Sequence, residues 1–353
     1  MLEKKPKFSV DQASDILKRL YDVTTSKINP LPSYDDQNFY VLSTNGKEYV
    51  LKIMNSEDSQ NPSLIELQTY AMSFLHENGI PAQTATPTVT GQLMSLEELD
   101  CGCGQQKYLV RLLSYLPGQT ISKVPLTPQI LFEAGKMAAK MDKVLQKMDH
   151  PNIRELDRDG FIWSLSNLLV LEKYLYVLDG EPLQKVVQSV INLYKLTIVP
   201  KYTHFRKCIN HGDFNDLNVL VQPDNNGCYT ISGILDFGDM NSGFYIHELA
   251  ITIMYMMIEH PNPIEVGGAV WRDGRVNYLS MKPRGQPVRA GHVPLLSVSS
   301  FCSLFCSYAA RERGVSDDNV RKGVQILQDI WTLGQQHVET IWFQSAEKYC
   351  ASK

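Results

Sequence analysis

Two carboxylates and an amide stand between residues 211 and 238 at the spacing that phosphoryl transfer requires. His211-Gly212-Asp213 opens a polar stretch that reaches Asn218, and an apolar run then delivers Asp236-Phe237-Gly238. Moving a phosphoryl group onto a hydroxyl takes one carboxylate to accept the hydroxyl proton, and oxygen ligands to hold Mg²⁺ against the donor phosphates. Asp213 suits the first task, and Asn218 with Asp236 the second. His211 suits bracing of the loop by hydrogen bonds better than chemistry. The pattern is H-x-D-x-x-x-x-N followed by D-F-G, that of a kinase catalytic loop and metal-binding turn. Asn and Asp are also ordinary turn formers, as Asn225-Asn226-Gly227 illustrates. A merely polar loop does not account for the apolar run Val219-Leu220-Val221 and a second strand ending in another carboxylate.

Such a site needs a fixed cation for the donor phosphates and a carboxylate to hold that cation. Lys52 closes the strand Tyr49-Val50-Leu51-Lys52-Ile53, and Glu66 follows on the next predicted helix. The two are expected to pair, although Ser63 and Glu66 also satisfy a capping-box pattern. The segment covering the phosphates should precede Phe39, where Ser33-Tyr34-Asp35-Asp36-Gln37-Asn38 stands. Ser33 and Asn38 are its candidate nucleotide-binding groups. It has no glycine, the residue that lets a backbone come close to phosphate. Asp35 and Asp36 would repel a triphosphate, so they are expected to face a cationic substrate or a metal. Glu248 reads as a contact for a substrate ammonium or as a helix cap. His247-Glu248 opens a zinc-binding H-E-x-x-H pattern that fails at Ile251.

Two kinds of scaffold must position these groups. Residues 1–113 read as strands with one helix. Strands at 39–42 and 48–53 flank Asn45-Gly46, a hairpin signal. Asn61-Pro62 opens a helix that ends at Asn78-Gly79, and a strand covers 107–113. Leu116-Pro117-Gly118 reads as a linker, so 114–118 separates a nucleotide-binding lobe from a catalytic and substrate lobe at 119–353. Thr127-Pro128 starts a helix whose Leu131, Ala134, Ala138, Met141, Leu145 and Met148 form one apolar stripe. Helices over 161–178 and 182–199 follow, and helices resume near 244. Residues 271–292 are aperiodic and predict a solvated loop. The fold class is α+β, a small mixed β lobe joined to a larger helical one.

Bulk properties narrow the partners. With 43% apolar and 20% charged residues the chain is globular. A formal charge of −4 without a Lys/Arg run gives no basis for nucleic-acid binding. The most apolar run, residues 249–258, is too short to span a bilayer, so no membrane partner is expected. Cys101-Gly102-Cys103 has no second ligand pair for zinc, and Cys302 with Cys306 reads as two buried thiols. No signal-peptide pattern follows Met1, so reduced thiols and a cytoplasmic location are expected.

His211 to Asn218, the Asp236 turn, and Lys52 with Glu66 resemble the aminoglycoside phosphotransferase/choline kinase family. Residues 31–39, 108–113, 171–176, 253–259 and Ile341-Trp342-Phe343 are similar to that family's hydroxylysine-phosphorylating branch. The resemblance covers nearly the whole chain. It implies a protein-kinase-like bilobal fold and transfer of the γ-phosphoryl of GTP, with Mg²⁺, to the side-chain hydroxyl of 5-hydroxy-L-lysine. Asp213 takes the place of the family's proton acceptor. Residues 269–295 depart from the family's pattern.

Other readings stand beside this one. A protein kinase needs a longer activation segment than Gly238 to Phe244 provides, and no Ala-Pro-Glu follows. A kinase of choline, ethanolamine or an aminoglycoside shares the hydroxyl and the cationic nitrogen. A catalytically silent nucleotide-binding protein is disfavoured by intact Asp213, Asn218 and Asp236. The residues alone leave the donor nucleotide and the oligomeric state open.

Overall fold

A computed structural model of the chain describes residues 4–100, 104–279, 295, 297–300, 302 and 318–350. Cys101-Gly102-Cys103, Cys306 and residues 280–292 of the predicted loop lie outside the described residues. By its internal contacts the chain divides into two units, Met1–Pro117 with Met148–Glu155, and Gly118–Lys147 with Leu156–Lys353.

In the first unit the Asn45-Gly46 turn joins β2 (Gln37–Ser43) to β3 (Glu48–Ile53), with Val41 opposite Tyr49 and Asn38 opposite Lys52. Together with β1 (Thr25–Leu31), β4 (Ala85–Thr86), β5 (Ser95–Asp100) and β6 (Gln105–Ser114) they form an antiparallel sheet ordered β1-β2-β3-β6-β4, with β5 also on β6. Helix α1 (Val10–Tyr21) packs Ala13, Ile16, Leu17 and Tyr21 into a core with Phe39, Val41, Leu51 and Tyr108. Helix α1 adds to the single helix expected in this unit. Its signal is a short capping box: Ser9 Oγ accepts from Gln12 N at 3.1 Å, and Gln12 Oε1 accepts from Ser9 N at 2.8 Å. Helix α2 (Pro62–Glu77) starts at Asn61, whose side chain accepts from Leu64 N at 3.2 Å. Residues 148–155 belong to this unit: Asn61 Nδ2 donates to Glu155 Oε2 at 3.1 Å, and Tyr70 lies 4.8 Å from His150, ring to ring.

The second unit is mainly helical. Thr127 caps α3 (Pro128–Leu145), and α4 (Pro182–Thr197) follows. Residues Leu165–Leu178, read from sequence as a helix, form 3₁₀ turns broken at Asn167. There the Asn167 amide donates to Arg158 O at 2.8 Å and Phe161 O at 3.1 Å, bonds to a neighbouring turn that compete with a regular helix. Short β8 (Lys207–Asn210) pairs with β11 (Asn241–Phe244). A separate hairpin of β9 (Val219–Pro223) and β10 (Tyr229–Ile234) takes β7 (Gln119–Thr120) along its edge.

Helix α5 (Tyr245–Glu259) is buried from Tyr245 to Ile258 except at Tyr255, as expected of a helix apolar on all sides. Helix α6 (Pro263–Leu279) corrects the predicted loop over its first nine residues. Val266, Ala269, Val270 and Trp271 are buried, and the Trp271 ring meets Phe343 edge-on at 5.2 Å. Just upstream, Gly267 and Gly268 pack closely against Trp342 and Ser345 of the last helix, Gln335–Cys350. No helix among the described residues is long and apolar enough to cross a membrane.

Candidate active site

The loop between β8 and β9 holds Asp213 by both carboxylate oxygens. Asn215 Nδ2 donates to Oδ1 at 2.9 Å and Asn218 Nδ2 to Oδ2 at 2.8 Å. The Tyr255 phenol on α5 also hydrogen-bonds this carboxylate. Asn215 builds the loop that presents Asn218, since its Oδ1 accepts from the backbone N of Leu217 at 2.9 Å and of Asn218 at 2.8 Å. The second Nδ2 bond of Asn218, to Asp213 O at 3.0 Å, turns its amide so that Oδ1 is the atom able to ligate a cation.

Asp236 is exposed and sits at φ 54°, in the left-handed region that non-glycine residues avoid. Such conformations cost of order 1–3 kcal/mol and persist where the surroundings enforce them. Here they do so from both sides. Leu235 N donates to Asn218 O at 2.8 Å, while His211 Nε2 donates to Leu235 O at 3.0 Å. His211 Nδ1 in turn accepts from Asp213 N at 3.3 Å, and burial pushes this imidazole down to about 4. A neutral ring in one tautomer therefore ties the Asp213 loop to the Asp236 turn.

Two groups hold these loops in roles that local sequence does not show. Arg158 Nη1 donates to Gly238 O at 2.9 Å and Met240 O at 3.3 Å, with its guanidinium 3.4 Å from the centre of the Phe161 ring. Glu248 was read as a substrate contact or a cap, and the structure corrects both. It is fully buried and its Oε2 accepts from Gly212 N at 3.2 Å; burial raises its carboxyl to about 7. Gly212 itself lies at φ +84°, and a Cβ there would fall 2.5 Å from Asp239 O, so no other residue fits. Neither Arg158 nor Glu248 sits in a motif, because their partners are backbone atoms 36 or more residues away.

Burial raises the Asp213 carboxyl well above the usual range, and the charges of Asp239 and Asp236 add to it. This excess of negative charge is what a divalent cation relieves. Among the described residues no three or more His, Cys, Asp or Glu converge to cage a metal. Asn218 and Asp236 instead offer two hard oxygen ligands and leave positions to phosphate and water, the arrangement Mg²⁺ takes at nucleotide sites. His247, whose zinc pattern failed in the sequence, is buried and pushed down to about 3 by desolvation. Beside the loop a recess is lined by Trp163, Gly212, Asp239, Met254 and Tyr255.

In the first unit Lys52 Nζ lies 2.8 Å from Asp36 Oδ2. The expected pairing with Glu66 is not formed. Leu64, Ile65, Leu67 and Gln68 make the buried face of α2, which leaves Glu66 exposed. Asp36 is thus engaged by the chain's own cation rather than turned toward a substrate or a metal. Ser33 Oγ donates to Asp36 O at 2.7 Å and closes the turn, while Asn38 stands opposite Lys52 with its Oδ1 buried and without a hydrogen-bond partner.

Residues 27–284 match the model of the phosphotransferase enzyme family. Over 98% of both chains the sequence is 52% identical to a hydroxylysine kinase of Danio rerio. It is 42% identical to that of Bos taurus, over 98% of this chain and 95% of that one. The fold is similar to the amicoumacin kinase hAmiN, with a TM-score of 0.68, 15% identity, and 91% and 94% of the two chains covered. It is also similar to a microcompartment-associated aminopropanol kinase, with a TM-score of 0.61, 16% identity and 98% of each chain. The protein-kinase-like α+β fold follows from these likenesses together with the strand-rich first unit and the helical second. With the model of that family matched over most of the chain and these kinases nearly full-length relatives, the chain belongs to the phosphotransferase enzyme family as a kinase of small molecules.

Proposed function

We propose that this chain transfers the γ-phosphoryl of GTP to the side-chain hydroxyl of 5-hydroxy-L-lysine. The observation that carries the reading is Asp213, oriented on both oxygens by Asn215 and Asn218, in a chain 52% identical to a hydroxylysine kinase over nearly its full length. Asp213 accepts the hydroxyl proton as the oxygen attacks the γ-phosphorus, the bond to the β-phosphate oxygen breaks, and GDP departs. Asn218 and Asp236 hold Mg²⁺, which when bound neutralises the donor phosphates. Lys52 supplies a further cation to those phosphates. The recess lined by Trp163, Asp239 and Tyr255 receives the acceptor, with the Asp239 carboxylate suited to its ammonium.

The test is steady-state GDP release with Mg·GTP, with and without 5-hydroxy-L-lysine, using Asp213→Asn as the blank. Release that needs the amino acid and vanishes in the variant is expected. Release driven only by ethanolamine or choline would replace the acceptor, and turnover with ATP alone would replace the donor.

A further inference from the structure

We propose that Asp36, on the turn before β2, is the positioning residue for Lys52, in the role the sequence pattern assigned to a carboxylate of α2. The inference rests on the reading of Lys52 as the cation for the donor phosphates. Lys52 is 7% exposed, and its ammonium lies 2.8 Å from an Asp36 carboxylate whose side chain is 14% exposed. An ion pair this sheltered from water is less screened than a surface pair and holds a defined geometry.

Asp36 is itself held in place. Its Oδ1 accepts from Asn55 N at 2.8 Å and Asn55 Nδ2 at 3.1 Å. Asn55 lies just beyond the end of β3, the strand that carries Lys52, and its side chain bridges onward to Asp58 Oδ2 at 2.6 Å and Asp58 N at 2.9 Å. Ser33 closes the turn, and Lys5 Nζ donates to Ser33 O at 2.6 Å and Tyr34 O at 2.9 Å. Both partners of the ion pair are therefore anchored to one stretch of sheet. The pair also answers how a glycine-free turn bearing two acidic residues can stand near a triphosphate: Asp36 is neutralised within the protein. A loop carboxylate, rather than Glu66 of α2, is the partner within hydrogen-bond distance of Lys52.

Asp36→Asn tests this with little change of shape, since the amide oxygen can still accept from Asn55 while the negative charge facing Lys52 is lost. KM for Mg·GTP, and for Mg·ATP in parallel, should rise about tenfold or more, with KM for 5-hydroxy-L-lysine unchanged. Lys52→Met should raise the nucleotide KM as well, and the double variant should be no worse than Lys52→Met alone, the mark of two residues acting as one. A nucleotide KM for Asp36→Asn within about twofold of wild type, or effects that multiply in the double variant, overturns the inference. So does Glu66→Gln raising the nucleotide KM in its place. An unchanged nucleotide KM in Lys52→Met would instead remove Lys52 from the proposed function. Should Asp36→Asn fail to fold, Asp36→Glu keeps the charge but displaces it, and the same shift confined to the nucleotide is expected; a wild-type value for it overturns the inference.

Discussion

A carboxylate proposed to take a proton from an alcohol must be oriented before the alcohol arrives, and Asp213 is. Its two oxygens accept from two asparagines of its own loop, and the Tyr255 phenol bonds the same carboxylate. Replacing it with Asn removes the proton acceptor and sets an NH₂ group against the amide donors of Asn215 or Asn218. Turnover should fall by about 10²–10⁴, the range a positioned general base contributes, while the KM for nucleotide stays near wild type. A kcat unchanged in Asp213→Asn would take the residue out of the base role. The Lys52–Asp36 pair works at the same scale, since a 2.8 Å contact sets where the cation sits.

Elements matter here through what they brace. The Asp213 loop is tied to the start of α5 by Glu248, and the Asp236 turn to the segment before the 3₁₀ turns by Arg158. Glu248 titrates upward in the fold, to about 7 from 4.5, so the native state binds its proton more tightly than the unfolded chain does. By linkage its contribution to stability is fully present below pH 4.5 and is lost as pH rises toward 7. His211, pushed down to about 4, contributes in the opposite sense. The difference in urea midpoint between wild type and Glu248→Gln isolates the first effect. Relative to the variant, wild type should lose on the order of 1 kcal/mol per pH unit across that window; a constant difference would refute the assignment. Arg158→Met removes two charge-assisted bonds to the Gly238 and Met240 carbonyls. The Mg²⁺ concentration for half-maximal activity should rise about tenfold, and an unchanged Mg²⁺ dependence would show that the turn stands without it.

Across the whole molecule, two units carry different tasks, and the helical one depends on close packing far from the loop. A Cβ at Gly267 would fall 2.1 Å from the Trp342 indole. Gly→Ala in a helix ordinarily stabilises by about 1 kcal/mol, but here overpacking should reverse the sign. Gly267→Ala should destabilise by about 1–3 kcal/mol and lower the thermal midpoint. A midpoint that rises would mean that α6 does not press on the last helix as described.

Much of this protein is legible in its residues alone. The kinase motif, the Asn45-Gly46 hairpin, the capped starts of α2 and α3 and the apolar α5 could all be read directly, because each depends on neighbours within a few positions. The same locality explains the misses. Glu66 matched Lys52 by motif spacing, yet which face of α2 is buried depends on the sheet beneath it, and that turned Glu66 outward. Trp271 opened a segment with no period to read, yet it lies on α6 with its ring against Phe343 of the last helix, a contact between distant positions. Local sequence determined which groups are present and what chemistry they can do. Only the tertiary structure decided that Asp36 holds Lys52, that Glu248 and Arg158 hold the two loops, and that α6 is packed, since hydrogen bonds and close contacts between distant segments leave no periodic trace in the chain.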